Sequence, residues 1–152
     1  MIEYRQAKEA DIPVMAQIRS AEWGAEEYWK TRIERYMRGE HDPQKALKPR
    51  MLYVALQNSA VVGLIAGHLT RRFGCDGELQ WINVMAEERN TGIAAALLRL
   101  LAEWFASQGV FKICVGVDPE NIVARNFYSK HGATELNRHW LVWNDARLIL
   151  ER

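Results

Sequence analysis

The segment Arg89-Asn90-Thr91-Gly92-Ile93-Ala94 sets a glycine and an alanine two residues apart, just before the longest helical pattern in the chain. Small residues at such a turn let backbone come close to a ligand. The first N–H groups of a helix have no partners inside it and carry the positive end of its dipole, so they suit a pyrophosphate. Arg89 adds a charge-assisted donor and Thr91 a hydroxyl. With no Ser, Asp or Asn at the N-cap, the helix end has room for an external anion. The same six residues also fit an ordinary helix start that uses Gly92 for its turn, and the dinucleotide pattern G-x-G-x-x-G is incomplete.

The elements that must position this turn are legible on either side of it. Residues 78–84 alternate, with Leu79, Trp81 and Asn83 on one face and Gln80, Ile82 and Val84 on the other, as a strand does. Beyond the turn, Ile93, Leu97, Leu100, Leu101, Trp104 and Phe105 recur at helical spacing, and Gly109 closes the helix. Residues 110–117 form a nearly continuous apolar run, the pattern of a strand covered on both faces. Residues 121–130 then read as a short helix, and 133–136 and 140–143 as closing strands followed by a tail.

Upstream, residues 2–6 read as a strand, and Asp11 as the N-cap of a helix that carries Pro13 in its first turn and runs to about Ser20. Residues 26–37 read as a second helix and the polar stretch 40–50 as a loop. Residues 51–56 and 60–69 make a hairpin around Gln57-Asn58-Ser59. The order β-α-α-β-β-β-α-β-α-β-β predicts an α+β domain built on one mixed sheet flanked by helices.

Composition narrows the function classes. The 152 residues suit one domain spanning residues 1–152, and 49% hydrophobic content supplies one sizeable core. Twenty basic against 19 acidic residues give a net charge of +1 with no block of like charge, which disfavours nucleic acid as a partner. No apolar run approaches the roughly 18 residues a membrane helix needs, and residues 1–5 carry charge at once, so a cytoplasmic protein without membrane contact is expected. Cys75 and Cys114 form no C-x-x-C and have no histidines at ligand spacing, so no metal is expected; Cys114 reads as a buried small hydrophobe and Cys75 as an exposed one. His41, His68, His131 and His139 suggest neither a metal nor a triad.

Arg89, Gly92 and Ala94 fill the pattern R/Q-x-x-G-x-G/A, and a second block follows at Asn121-x-x-Ala124-x-x-Phe127-Tyr128-x-Lys130-x-Gly132. In these two blocks, taken in order, the chain resembles the GNAT superfamily of acyl-CoA N-acyltransferases. Where the wider family pattern often has Pro and Gly, this chain has Ala86 and Asn90. The resemblance implies acetyl-CoA as co-substrate, with Arg89, Asn90, Thr91, Gly92, Ile93 and Ala94 around its pyrophosphate. It also implies that the backbone of Val84 and Met85 pairs with the pantetheine arm between two diverging strands, one N–H serving as an oxyanion donor. Asn121 matches the family's arm-binding asparagine and equally suits a helix N-cap.

An ammonium has no lone pair, so transfer to an amine wants a base near the acceptor. Glu78 precedes Gly92 by fourteen residues (92 − 78 = 14), where many members carry a glutamate base; its alternative is an exposed acid at a strand end. Tyr128 occupies the family's tyrosine position, from which a phenol can give a proton to the leaving thiolate; its alternative is a tyrosine packed with its hydroxyl in water.

The acceptor side carries less shared sequence. Residues 22–29 join acids to aromatics and could hold a cationic amine, or form a helix junction with two core tryptophans, Trp23 and Trp29. Trp81, Trp140 and Trp143 read as packing residues, and Arg71 and Arg72 as solvated. The implied reaction is transfer of acetyl to a primary amine of a small molecule by direct attack in a ternary complex. The alternatives are a protein N-terminus or lysine as acceptor, and a module that binds acetyl-CoA without catalysis. Closing strands rich in Trp and Val offer a surface for a homodimer.

Overall fold

The computed structural model describes residues 1–40 and 46–151. Strand β1 (Ile2–Gln6) is followed by helices α1 (Ile12–Ser20) and α2 (Glu26–Met37). Three antiparallel strands come next, β2 (Leu47–Gln57), β3 (Ala60–Leu69) and β4 (Gly77–Val84). Helix α3 (Ile93–Ser107), strand β5 (Ile113–Gly116), helix α4 (Ile122–Lys130), strands β6 (Thr134–Asn137) and β7 (Trp140–Trp143), and a one-turn helix α5 (Arg147–Leu150) complete the chain.

The seven strands form one sheet in the order β1-β2-β3-β4-β5-β7-β6. Only β4 and β5 run parallel, as a crossover through α3 requires. The predicted mixed sheet with flanking helices is thus the observed architecture. Asn58 and Ser59 take the two positive-φ positions of the β2–β3 turn, which matches the twist of a hairpin.

Three local readings change. The predicted loop at 40–50 overruns: β2 begins at Leu47, while residues 41–45, His41 among them, lie outside the described residues. The apolar run 110–117 pairs as a strand only over β5, and the tail at 147–150 winds into α5. Asp11 precedes α1 as expected but does not cap it with its side chain; its carboxylate takes the Lys8 N–H at 2.7 Å and both guanidinium nitrogens of Arg5 at 2.7 and 3.0 Å.

Two apolar cores lie on opposite faces of the sheet. On one face α3 packs Ile93, Leu97, Leu101 and Phe105 against Ile65 and Leu79, with Tyr128 and Trp143 extending the layer. On the other, α1 and α2 pack Met15, Ile18, Trp29, Ile33 and Tyr36 against Leu64, Ala66 and Trp81. Leu141, Val142 and Trp143 of β7 are buried within the chain itself. Among the described residues no helix is long and apolar enough to cross a membrane.

Strand β4 serves both cores because its alternation is broken. Ala66 of β3 pairs with Trp81 and Gly67 with Leu79, so Gln80 is an extra residue, a β-bulge. Leu79 therefore faces α3 with Ile82 and Val84, and Trp81 faces the other way, correcting the shared face read from the sequence. The same insertion turns Glu78 to the α1–α2 face, where it pairs with His68 of β3.

Candidate active site

Strands β4 and β5 pair only at Gly77, Glu78 and Leu79 against Ile113, Cys114 and Val115, after which they part. The Met85 N–H donates to the Val62 carbonyl at 2.8 Å, so it is spent on β3. Backbone groups alternate sides along an antiparallel strand, so those of Ile82 and Val84 point toward the gap left by β5. Of the two backbone positions implied for the pantetheine arm, Val84 is the one whose N–H faces the opening.

At the end of β4 the chain turns through Asn90 (φ 65°) and Gly92 (φ 87°) into α3. Gly92 is the N-cap in a left-handed conformation that favours glycine, and no side chain caps the helix. A Cβ at Gly92 would meet nothing within 4 Å, so the space in front of the first turn is open. Thr91 donates its hydroxyl to the Glu88 carbonyl at 2.5 Å, and Arg89 Nε reaches the Val84 carbonyl at 3.4 Å. An uncapped, unobstructed helix N-terminus beside an arginine fits a pyrophosphate. Ile93 is buried in the core, so that residue contributes only backbone to the turn, while Ala94 is half-buried.

Asn121 performs the second of its two readings: its Oδ1 accepts the Ala124 N–H at 3.1 Å and caps α4, leaving only its amide NH2 to donate. Tyr128, on α4, is buried with its ring edge-on to Trp143, 5.7 Å between centroids. Burial pushes its phenol far above the ordinary value, Glu22 raises it further and Arg19 opposes. Tyr128 packs with the α3 core, whereas Arg19 packs with the other.

Glu78 is not an exposed strand-end acid but a buried one, 5% accessible. Its Oε1 accepts from Arg72 Nε at 3.0 Å and lies 3.6 Å from His68 Nε2. Tyr36 donates its hydroxyl hydrogen to the Gly67 carbonyl at 2.6 Å, so the 3.1 Å contact to His68 Nδ1 has the imidazole as donor. Arg72 is not simply solvated either; its guanidinium also lies 4.7 Å over the Trp140 ring. Tyr36, His68, Glu78 and Arg72 thus lie in a row, hydrogen-bonded between Tyr36 and His68 and between Arg72 and Glu78, with His68 Nε2 beside the carboxylate but without a hydrogen bond among the described residues. Its sequence signal was a lone histidine in the apolar run of β3 and an arginine six residues before the glutamate.

On the α1 side, Arg19 lies 4.3 Å over the Trp29 ring and 5.5 Å from that of Trp81. Its Nη1 donates to Asn83 Oδ1 at 2.7 Å and reaches Glu22 at 3.4 Å. Of the two tryptophans expected in the α1–α2 junction, Trp29 is buried but Trp23 is 56% exposed, beside an exposed Tyr28. Cys75, expected at the surface, is buried with Cys114 and Val142, because the turn before β4 folds back onto β5.

The model of the Acetyltransferase (GNAT) family matches residues 15–133. A search of curated protein sequences returns no match. Among solved structures, PaiA N-acetyltransferase from Thermoplasma acidophilum in complex with coenzyme A is 19% identical, covering 95% of this chain and 99% of that one at a TM-score of 0.70. PH1933 from Pyrococcus horikoshii OT3 is 16% identical over 95% and 99%, with a TM-score of 0.78. Ribosomal-protein-alanine N-acetyltransferase from Brucella melitensis is 20% identical over 92% and 96%, with a TM-score of 0.68. A strand pair that parts beside an uncapped helix and a family match over well over half of the chain lead to one conclusion: this chain belongs to the Acetyltransferase (GNAT) family, enzymes of acetyl-CoA-dependent acetyl transfer.

Proposed function

We propose that the chain transfers acetyl from acetyl-CoA to a primary amine of a small molecule, by direct attack in a ternary complex. The observation that carries the reading is the opening beyond Leu79 and Val115, which has the outward-facing Val84 N–H along one edge and the uncapped first turn of α3 beyond the end of β4. When bound, acetyl-CoA supplies the acyl group already activated as a thioester.

The residues divide the remaining work. Backbone N–H groups of the first turn of α3, with Arg89, Asn90 and Thr91, hold the pyrophosphate end. The Val84 N–H supplies one donor to the acyl oxygen. Glu78 takes the amine's proton, directly or through water, while the hydrogen bond from Arg72 fixes its orientation. Tyr128, kept protonated by burial, holds a proton for the departing sulfur.

The likeness to a ribosomal-protein-alanine N-acetyltransferase favours a second reading, a peptide N-terminus as acceptor. A thiol-release assay over amino acids, polyamines, aminoglycosides and short peptides, with calorimetry of acetyl-CoA alongside, decides between them. Binding with amine-dependent release supports an enzyme and names its acceptor class; binding without release leaves a non-catalytic module; absent binding removes the reading.

A further inference from the structure

Arg19 is the most deeply buried cation beside the opening, 8% accessible, and its charge is poorly matched. Both of its side-chain hydrogen bonds run through Nη1, one to the neutral Asn83 amide and one, at 3.4 Å, to Glu22. Glu22 sits in the α1–α2 turn with its side chain 47% exposed, so water screens that partner. Nε is buried and makes no hydrogen bond among the described residues. A guanidinium taken from water needs its donors satisfied, and an unmet donor at this depth costs free energy.

The surroundings fix the plane of the guanidinium. Trp29 and Trp81 flank it, and Asn83, placed on this face by the bulge in β4, holds Nη1. What is left over is the Nε–Nη2 edge, two parallel donors whose spacing matches the two oxygens of a carboxylate. Burial lowers the Arg19 pKa, as it must for a cation short of anionic partners.

We infer that Arg19 receives a carboxylate of the acceptor, which makes the acceptor an amino-acid-like amine bearing a free carboxylate. The inference rests on the proposed acetyl transfer to a small amine. Glu22 is then a stand-in: it shares Arg19 while no acceptor is present and yields to the incoming carboxylate. A peptide N-terminus, whose neighbouring carbonyl is an amide, lacks the group that this edge takes.

The test compares each acceptor amino acid with its own carboxamide and its decarboxylated amine, by kcat/KM in the thiol-release assay with wild-type protein. The carboxylate form is expected to be preferred by at least about tenfold, the scale of one charge-assisted pair. Arg19→Lys should shrink that preference, and Glu22→Gln, at an exposed position that should not threaten folding, should lower KM for carboxylate acceptors only. Equal rates for acid and amide, or a preference for amides and peptides, overturn the inference while leaving the enzyme intact. Acetyl-CoA binding with no transfer to any amine overturns both, a result distinct from the first.

Discussion

Arg72 Nε meets Glu78 Oε1 at 3.0 Å, with the carboxylate side chain 6% and the arginine side chain 22% accessible. The pair is one-sided: the acid is buried, its partner partly exposed. A group in this position is rigid, and its removal is expected to act on chemistry and stability separately.

Glu78→Gln keeps the shape and the hydrogen bond from Arg72 but cannot accept the amine's proton. It should lower kcat by about 10²-fold, the lower end for a lost general base, with acetyl-CoA affinity unchanged by calorimetry. Wild-type turnover in this variant removes Glu78 from the role of base.

Arg72→Met leaves the buried carboxylate short of its cation. Urea unfolding at neutral pH should show a loss of about 2 kcal/mol, below the full figure for a buried pair because Arg72 is partly exposed. Adding Glu78→Gln should recover part of that loss, and strict additivity of the two would show that the pair is not coupled.

Tyr128→Phe should slow thiol release about tenfold or more without unfolding the protein, since the ring stays packed on Trp143. Burial, with Glu22 adding to it, raises the phenol above its ordinary value of about 10, so the proton is held throughout the neutral and mildly alkaline range. The kcat profile should show no loss assignable to this phenol up to about pH 10; a fall that disappears in the Phe variant would contradict the placement.

Gly92→Val should weaken acetyl-CoA binding at least about tenfold, because its side chain fills the open space before α3, and cost on the order of 1–3 kcal/mol, because φ is 87°. Calorimetry and thermal unfolding read the two effects. Unchanged affinity would move the pyrophosphate elsewhere.

The Arg5 hydrogen bond, with the Lys8 N–H, holds the Asp11 carboxyl below its ordinary value. The unfolded chain therefore binds the extra proton first, so the pair's stabilisation is complete above the ordinary carboxylate value of about 3.9 and is lost as pH falls through the folded value. Arg5→Gln should lower stability at neutral pH, and its urea midpoint should converge on the wild type in acid.

What could be read in advance divides along physical lines. Local patterns carried the fold: the periodicity of α3, the run 2–6 and the closing strand 140–143 were all legible because each encodes its own burial. The turn at Gly92 was legible because its left-handed backbone favours glycine. What sequence spacing could not give was partnership across the sheet. Nothing near His68 announces Tyr36 or Glu78, and nothing near Arg19 announces Asn83, 64 positions away. The bulge at Gln80 was invisible for a related reason, since a strand with one extra residue shows the same letters as a regular one.

That extra residue has an evolutionary corollary. Because it shifts the phase of β4 midway, Glu78, Trp81 and Asn83 belong to the layer under α1 and α2, whereas Leu79, Ile82 and Val84 belong to the layer under α3. On the proposed assignment, the part of the strand that faces the acceptor and the part that faces the acyl donor thus belong to different packing layers. Substitutions in one layer share few neighbours with the other, so under that assignment repacking the α1–α2 side is expected to change acceptor choice while leaving acetyl-CoA affinity unaltered.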